Sequence, residues 1–438
     1  MRIRTVVVLI ILTAVAPAAH AQERLPLAEA VARTLRGNPA LKAVREGQRV
    51  AAAGVDQARA GWLPRVDYVE AWQRSNQPVF VFGSLLAQSR FGAANFALDA
   101  LNNPDAVTNT RGALSVQQTL FDPAQRARVR AAAAGRDLAS LSATAVEREL
   151  ALGTARAYGQ VLVAAASRRA AQAAVDAAEQ DRARAEHRRE AGLATDADVL
   201  AFQVHAAGMQ ARRAQAAGDE SVARAALNDL IGAPLDSTFT LDDVAPPTAP
   251  PAAAVADLER EALEKREQLR QAAVQEQAAA ANQAIARAAF LPQAGFQGGY
   301  EFDGRDWSGR QTWWAAGVEV RWNLFNGFGD RARLAGATAA VAQARANRER
   351  VENAIRLEVR SAAAQLDAAR AREAAGRTAV TQAREAQRII RERYEAGFTG
   401  VTDVLRAANA LLEAELQEQS ARVDAFVAER TLEWAVGR

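Results

Sequence analysis

Two windows of this chain alternate apolar and polar residues, and almost everything outside them is built from helix-forming residues. Trp314, Ala316, Val318, Val320, Trp322 and Leu324 alternate with Trp313, Ala315, Gly317, Glu319, Arg321 and Asn323. A period of two predicts a strand with one apolar and one polar face. The same pattern runs through Ala294, Phe296, Gly298, Tyr300 and Phe302, and through Leu114, Val116, Gln118 and Leu120. A fourth segment, Val66, Tyr68 and Trp72, is interrupted by Glu70. Strands are therefore expected at about 64–74, 112–121, 292–302 and 313–325. Each is about 10 residues long, the length a tilted transmembrane β-strand needs.

Outside these windows Ala, Arg, Glu, Gln and Leu dominate, which favours helix. Long helices are expected at about 123–191, 196–232, 328–396 and 401–437. Asp122 followed by Pro123 is a helix start, and Asn326 or Asp330 serves in the second stretch. At about 1.5 Å per residue the longer two would each run on the order of 100 Å. Gly192 and Gly397 end them, and Thr195 with Asp198 has capping-box spacing at the restart. In the second stretch Gly400 stands where Thr195 stood, but Asp403 is kept.

The order of elements occurs twice. Ala60-Gly61-Trp62-Leu63-Pro64 returns as Ala288-Ala289-Phe290-Leu291-Pro292, and Leu120-Phe121-Asp122 as Leu324-Phe325-Asn326. Ala191-Gly192-Leu193 with Asp198-Val199-Leu200 returns as Ala396-Gly397-Phe398 with Asp403-Val404-Leu405. The spacing between copies changes once, which places an insertion near 75–111. The chain thus divides into a leader (1–21), a first repeat (22–232), a Pro-rich linker (233–256) and a second repeat (257–438). Each repeat reads helix, β-hairpin, long helix, tight turn, returning helix.

Composition narrows the setting. Arg2 and Arg4, the apolar run Val6–Val15 and the Ala19-His20-Ala21 site form a cleaved secretory signal. No cysteine follows, so neither disulfides nor a lipid anchor at the new N-terminus is expected. Beyond the leader, basic and acidic residues nearly balance, which gives no reason to expect nucleic acid as a partner. Of the 25 aromatic residues, 18 lie within 62–121 and 290–328, and those near strand ends fit interfacial girdles. Trp62, Trp72, Trp313, Trp314, Trp322 and Phe325 are the candidates. An enzyme is the least expected class: only His187 and His205 remain after the leader, and no phosphate-binding glycine loop is found. No cofactor and no metal site are expected.

Four membrane strands cannot close a barrel by themselves, and an open edge in lipid costs several kcal/mol per unpaired group. Copies of the chain must share one barrel. Two would give 8 strands around an interior filled by side chains, and three would give 12 with room for a lumen.

The Leu25-Pro26-Leu27-Ala28-Glu29-Ala30 opening, the Asn38-Pro39-Ala40-Leu41 helix start, the paired Gly-x5-Asp-Val-Leu turns and the Leu-Phe-Asp/Asn strand ends resemble TolC-type outer membrane efflux proteins, also called outer membrane factors. The resemblance covers 25–437. It implies a mostly α protein with a transmembrane β part: a homotrimer sharing a 12-stranded β-barrel in outer membrane lipid, with a periplasmic α-helical tunnel. It also implies a passive exit channel for tripartite efflux or type I secretion. The partners would be a periplasmic adaptor (membrane fusion protein) and an inner membrane RND or ABC transporter.

The resemblance further implies that the turns between long and returning helices form the periplasmic tip. Ala191, Gly192, Leu193, Ala396, Gly397 and Phe398 would dock the adaptor, and Asp403 would stand at the gate. The family's second acidic position, three residues on, is Arg406 here, so a double acidic ring is not expected. Asp403 and Arg406 could instead pair across i, i+3. Asp198 is the corresponding acidic residue of the first copy, where stabilising the helix start is the simpler role. The insertion, with Pro78-Val79-Phe80-Val81-Phe82, is expected to fold over the barrel mouth rather than meet a surface partner. A periplasmic adaptor or coiled-coil scaffold without a barrel is the alternative reading.

Overall fold

The computed structural model describes residues 23–244 and 254–438; the expected leader lies outside them. The chain runs β1 (Glu23–Leu25), α1 (Leu27–Gly37), α2 (Pro39–Ala60), β2 (Arg65–Ser75), α3 (Pro78–Ala87), α4 (Leu98–Asn102), β3 (Val107–Phe121), α5 (Pro123–Glu190) and α6 (Asp196–Ile231). It continues with β4 (Phe239–Leu241), α7 (Val255–Lys265), α8 (Glu267–Ala288), β5 (Gln293–Gly304), β6 (Gln311–Arg321), α9 (Gly329–Glu395) and α10 (Val401–Val436). No described helix is long and apolar enough to cross a membrane.

α5 and α9 are unbroken over 68 and 67 residues. The glycines within them do not end them, and Gly159 serves packing. A Cβ on Gly159 would stand 2.7 Å from Val423 Cγ1, so its absence lets α10 approach α5.

The chain forms two compact units, and the division falls within α5 and α9. One unit comprises the described residues of Met1–Pro39, Arg148–Ala253 and Ser361–Trp434. Its core joins Leu25, Tyr158, Val161, Leu227, Ile231, Phe239 and Phe426. Here the expected linker departs from irregular structure, because Phe239–Leu241 pairs in parallel with Glu23–Leu25. Tyr158 explains why so short a ladder holds. Its buried hydroxyl lies 3.0 Å from the carbonyls of both Leu25 and Asp242 and accepts from the Asp242 N–H at 2.7 Å. Burial pushes the phenol up to about 12, so it stays neutral and able to donate.

The other unit comprises Ala40–Glu147, Ala254–Arg360 and Ala435–Arg438. It holds an antiparallel sheet in the order β2-β3-β5-β6. Tyr68, Leu114, Tyr300 and Trp314 form one register row across it, and Val66, Val116, Gly298 and Ala316 form another. Since side chains alternate, these rows share one apolar face. Asp67, Ser115, Gly299 and Ala315 belong to the opposite face, as do Gln117, Gln297 and Gly317.

Two boundaries differ from the sequence expectation. β3 begins at Val107, inside the inserted segment, because Thr108 to Arg111 continue the pairing with β2. β6 ends at Arg321, where its partner β5 begins at Gln293, so Trp322 to Phe325 lie beyond the ladder.

Candidate functional site

Two features can carry transport: the two-faced sheet and the paired helix turns. The sheet's polar face is hollowed, with Arg65, Gln117, Gln297, Glu319 and Arg321 among the residues lining the depression. Small residues, including Ser115, Gly299, Ala315 and Gly317, line its continuation. The sheet ends in two unpaired edges, β2 and β6, and every residue of β6 is exposed.

Charge on the apolar face is handled locally. Glu70 receives Arg310 Nη2 at 2.5 Å and also accepts from the Tyr68 hydroxyl. Gly112 makes this possible, since a Cβ there would strike Glu70, Tyr68 and Arg310. Sequence alternation flagged Glu70 as a break but gave no sign of its partner, which lies 240 positions away.

The insertion sits on the polar face. Gln88 donates to the Thr108 carbonyl and to Asn109 Oδ1, each at 2.9 Å. Asn109 donates to Asp303 at 2.7 Å. The Trp313 indole N–H donates to the Ala87 carbonyl at 2.8 Å. Trp313 thus stands on the face opposite Trp314, and its indole holds α3. The other aromatics lie toward the two ends of the sheet. Trp72 and Trp314 are near one end, and Trp62, Trp322 and Phe325 flank the other. Trp72, Trp314, Trp322 and Phe325 are largely exposed, and Trp62 is half-buried.

In the first unit the structure brings both helix turns together. Ala185, Val199 and Phe202 pack with Val404, Ile390 and Tyr394 beneath them. The Arg188 guanidinium lies 5.3 Å from the Tyr394 ring centre and donates to the Glu395 carbonyl at 3.1 Å. Asp181 accepts from Arg184 and, at 3.1 Å, from Arg391. Burial raises the Tyr394 phenol above its ordinary value, and the Asp198 carboxylate adds to this. None of these cross-links carries a sequence signature, so sequence reasoning missed them.

Each turn closes through a glycine with positive φ, 72° at Gly192 and 82° at Gly397. The Leu193 N–H bonds the Arg188 carbonyl and the Phe398 N–H bonds that of Arg393, both at 2.8 Å. These bonds satisfy the last helical carbonyls and push the next side chain outward. Leu193 and Phe398 are accordingly 67% and 77% exposed. Ala191 and Ala396 are exposed beside them.

Asp198 and Asp403 differ in their partners. Asp198 and Thr195 form a reciprocal capping box, with Thr195 N to Asp198 Oδ2 at 2.9 Å and Asp198 N to Thr195 Oγ1 at 3.2 Å. Asp403 instead accepts the Thr399 hydroxyl at 2.5 Å and Arg406 Nη1 at 3.1 Å. Thr399, one position earlier than Thr195's counterpart, replaces the hydroxyl that Gly400 lacks.

The outer membrane efflux protein family model matches residues 30–233 and 258–438, which is both repeats. The chain belongs to the outer membrane efflux protein family. A membrane protein from Pseudomonas aeruginosa shares the fold at a TM-score of 0.79 and 22% identity, over 94% of this chain and 93% of that one. The outer membrane protein VceC of Vibrio cholerae matches at 0.75 and 22%, over 94% and 96%. The Campylobacter jejuni outer membrane channel CmeC matches at 0.78 and 17%, over 94% and 85%. At these identities the likenesses establish the fold. No curated protein matches in sequence. As an outer membrane efflux protein the chain is a transport protein of the TolC-like channel class, and the adaptor and scaffold readings fall away.

Proposed function

We propose that three copies of this efflux protein close their sheets into one 12-stranded barrel and form a passive exit duct. Substrate would be delivered by an inner membrane transporter through a periplasmic adaptor, in tripartite efflux or type I secretion. The observation that carries this reading is a four-stranded sheet with two open edges, an apolar face and a hollowed polar face. Pairing β6 of one copy with β2 of the next removes every unpaired edge, which lipid requires. The position of α3 supports three copies over two. An 8-stranded barrel is filled by side chains and leaves no room for a helix about 10 Å wide on its inner wall.

The paired turns suit the periplasmic entrance. Leu193 and Phe398 are the apolar contacts offered to an adaptor, with Ala191, Gly192, Ala396 and Gly397 shaping the surface. Asp403 and Arg406 form the gate pair, with Asp198 holding its own helix start. The deciding experiment is the native mass of protein extracted from outer membranes in mild detergent. A mass of three chains supports the shared barrel. Two chains would mean closure at 8 strands, and one chain, or recovery from the soluble periplasm, would remove the duct altogether.

A further inference from the structure

The two hairpins of the sheet repeat each other residue for residue. Carried along the strands, the sequence repeat makes Gln293 the counterpart of Arg65 and Arg321 the counterpart of Gln117. Arg65 pairs with Gln117 in the first hairpin, and Gln293 pairs with Arg321 in the second. The likeness reaches side chains. Gln118 donates to the Trp62 carbonyl, and its counterpart Trp322 donates to the Phe290 carbonyl.

One strand falls short of its counterpart. β3 spans Val107–Phe121, which corresponds to residues 311–325, yet β6 stops at Arg321. Past Gln117, where β2 begins, the ladder of β3 continues with β5 alone. There Gln118 pairs with Phe296, Thr119 with Gly295 and Phe121 with Ala294. The equivalent stretch of β6 lies beyond the ladder, and its Trp322, Leu324 and Phe325 are all more than half exposed. It is the part of β6 that lacks what β5 supplies to β3.

We infer that β6 joins β2 of the next copy in the register by which β3 joins β5. Trp322 then stands opposite Tyr68 of the next copy, Asn323 opposite its Asp67 and Phe325 opposite its Val66. The inference rests on the shared barrel proposed above and adds the alignment of its joints. β6 runs on to Phe325 and becomes as long as β3. Trp322 and Tyr68 meet on the apolar face as an aromatic cross-strand pair. On the polar face Arg321 falls opposite Val69, one diagonal from Asp67.

Charge disfavours the level alternative, in which the last residue of β6 meets the first of β2. That register sets Arg321 opposite Arg65 and Glu319 opposite Asp67, and like charges directly opposite are destabilising. A slip of one residue turns the apolar face of β6 to the wrong side of the sheet. A shift of two sets Arg321 opposite Asp67, carries Phe325 past the start of β2 and repeats no joint within the chain.

The chain has no cysteine, so paired replacements report on one contact. Arg321→Cys with Val69→Cys and Ala316→Cys with Arg74→Cys sample the two kinds of facing pair, with Cα atoms about 5.5 and 4.5 Å apart in either order. Both separations suit a disulfide. In the displaced pairs, Arg321→Cys with Asp67→Cys and Arg321→Cys with Arg65→Cys, the separation would be about 7 Å or more. Each full-length variant would be oxidised in isolated outer membranes and run on non-reducing gels, with its native mass measured alongside. The expected result is a covalent three-chain species from at least one in-register pair, formed roughly tenfold or more faster than from either displaced pair. Faster linking by a displaced pair, or none by either in-register pair, in protein with a three-chain mass overturns the register and leaves the duct standing. A two-chain mass with in-register links keeps the register and overturns the duct. A one-chain mass overturns both.

Discussion

Arg310 lies across the apolar face of the sheet to pair with Glu70, passing over Gly304 and Gly112 on the two strands between. A Cβ on Gly304 would come within 2.9 Å of the Arg310 side chain, and one on Gly112 within 3.1 Å of its guanidinium. Trp307 covers the guanidinium at 4.5 Å from its ring centre. The two side chains are mostly shielded, so removing one leaves the other charged on an apolar surface. Removing one partner of a shielded pair strands the charge of the other, and the partial exposure of both limits the cost.

Arg310→Met should therefore lower the yield of assembled outer membrane protein several-fold, and Arg310→Met with Glu70→Gln should restore most of it. Heat-stability of the assembled species on gels is the measurement. If the double variant is no better than the single, the cost lies in lost packing over Gly112 and Gly304, not in the stranded carboxylate.

Tyr158 supports a second prediction. Its hydroxyl ties β1 and β4 to α5 within a fully buried setting, and Phe would leave the Asp242 N–H without its acceptor. Tyr158→Phe should destabilise that unit by about 1–3 kcal/mol, read by chemical denaturation. Protease cutting near the Phe239–Leu241 strand should rise in step.

Glu261 sets an acid limit. Arg438 donates to both its oxygens, at 3.0 and 2.6 Å, and Lys265 Nζ adds a bond at 2.7 Å. These bonds, that from Arg438 foremost, hold the carboxyl at about 2, against an ordinary value of 4.5. A depressed carboxylate stabilises the fold fully above the unfolded value and loses that contribution as pH falls toward the folded one. Thermal melting of the parent and Glu261→Gln should differ at pH 7, and the gap should close between about pH 4.5 and 2. A gap that stays constant through that window would show that the ion cluster contributes nothing pH-dependent.

The turn residues separate fold from docking. Gly192→Ala and Gly397→Ala force a side chain into left-handed backbone, at about 1–2 kcal/mol each. Leu193 and Phe398 are mostly exposed, so Leu193→Asp and Phe398→Asp should leave stability within about 0.5 kcal/mol. If these turns dock an adaptor, the Asp variants should lose its capture from cells while keeping their native mass. Normal capture by both would move the docking surface elsewhere.

The four strands are legible because each repeats a period of two, and the long helices because helix formers fill the stretches between a capped start and a glycine. What was not legible is contact across long separations. Glu70 read as a blemish because its partner lies on another strand pair. Period two sets Trp313 opposite Trp314, but nothing in the sequence points to the Ala87 carbonyl as its partner. The Phe239–Leu241 strand was hidden among prolines, since three residues show no period. Thr399 carries no signal in the repeat, because its hydroxyl stands one position before the counterpart of Thr195.

The Asp403–Arg406 pair gives the last prediction. The pair spans i, i+3 on the first turn of α10, and both side chains are substantially exposed. Such a pair contributes less than about 1 kcal/mol, which shifts an open–closed ratio by about fivefold at most. Asp403→Ala and Arg406→Ala should each raise open probability in planar bilayers within that limit. The double variant should match Asp403→Ala, which already removes the pair together with the Thr399 bond. Asp198→Ala should behave differently: both its carboxylate bonds go to Thr195, so the loss falls on the α6 cap, at about 1 kcal/mol of stability. Asp403→Ala and Arg406→Ala channels that both conduct like the parent would sink the gate assignment, and Asp403 would join Asp198 as a residue that starts a helix.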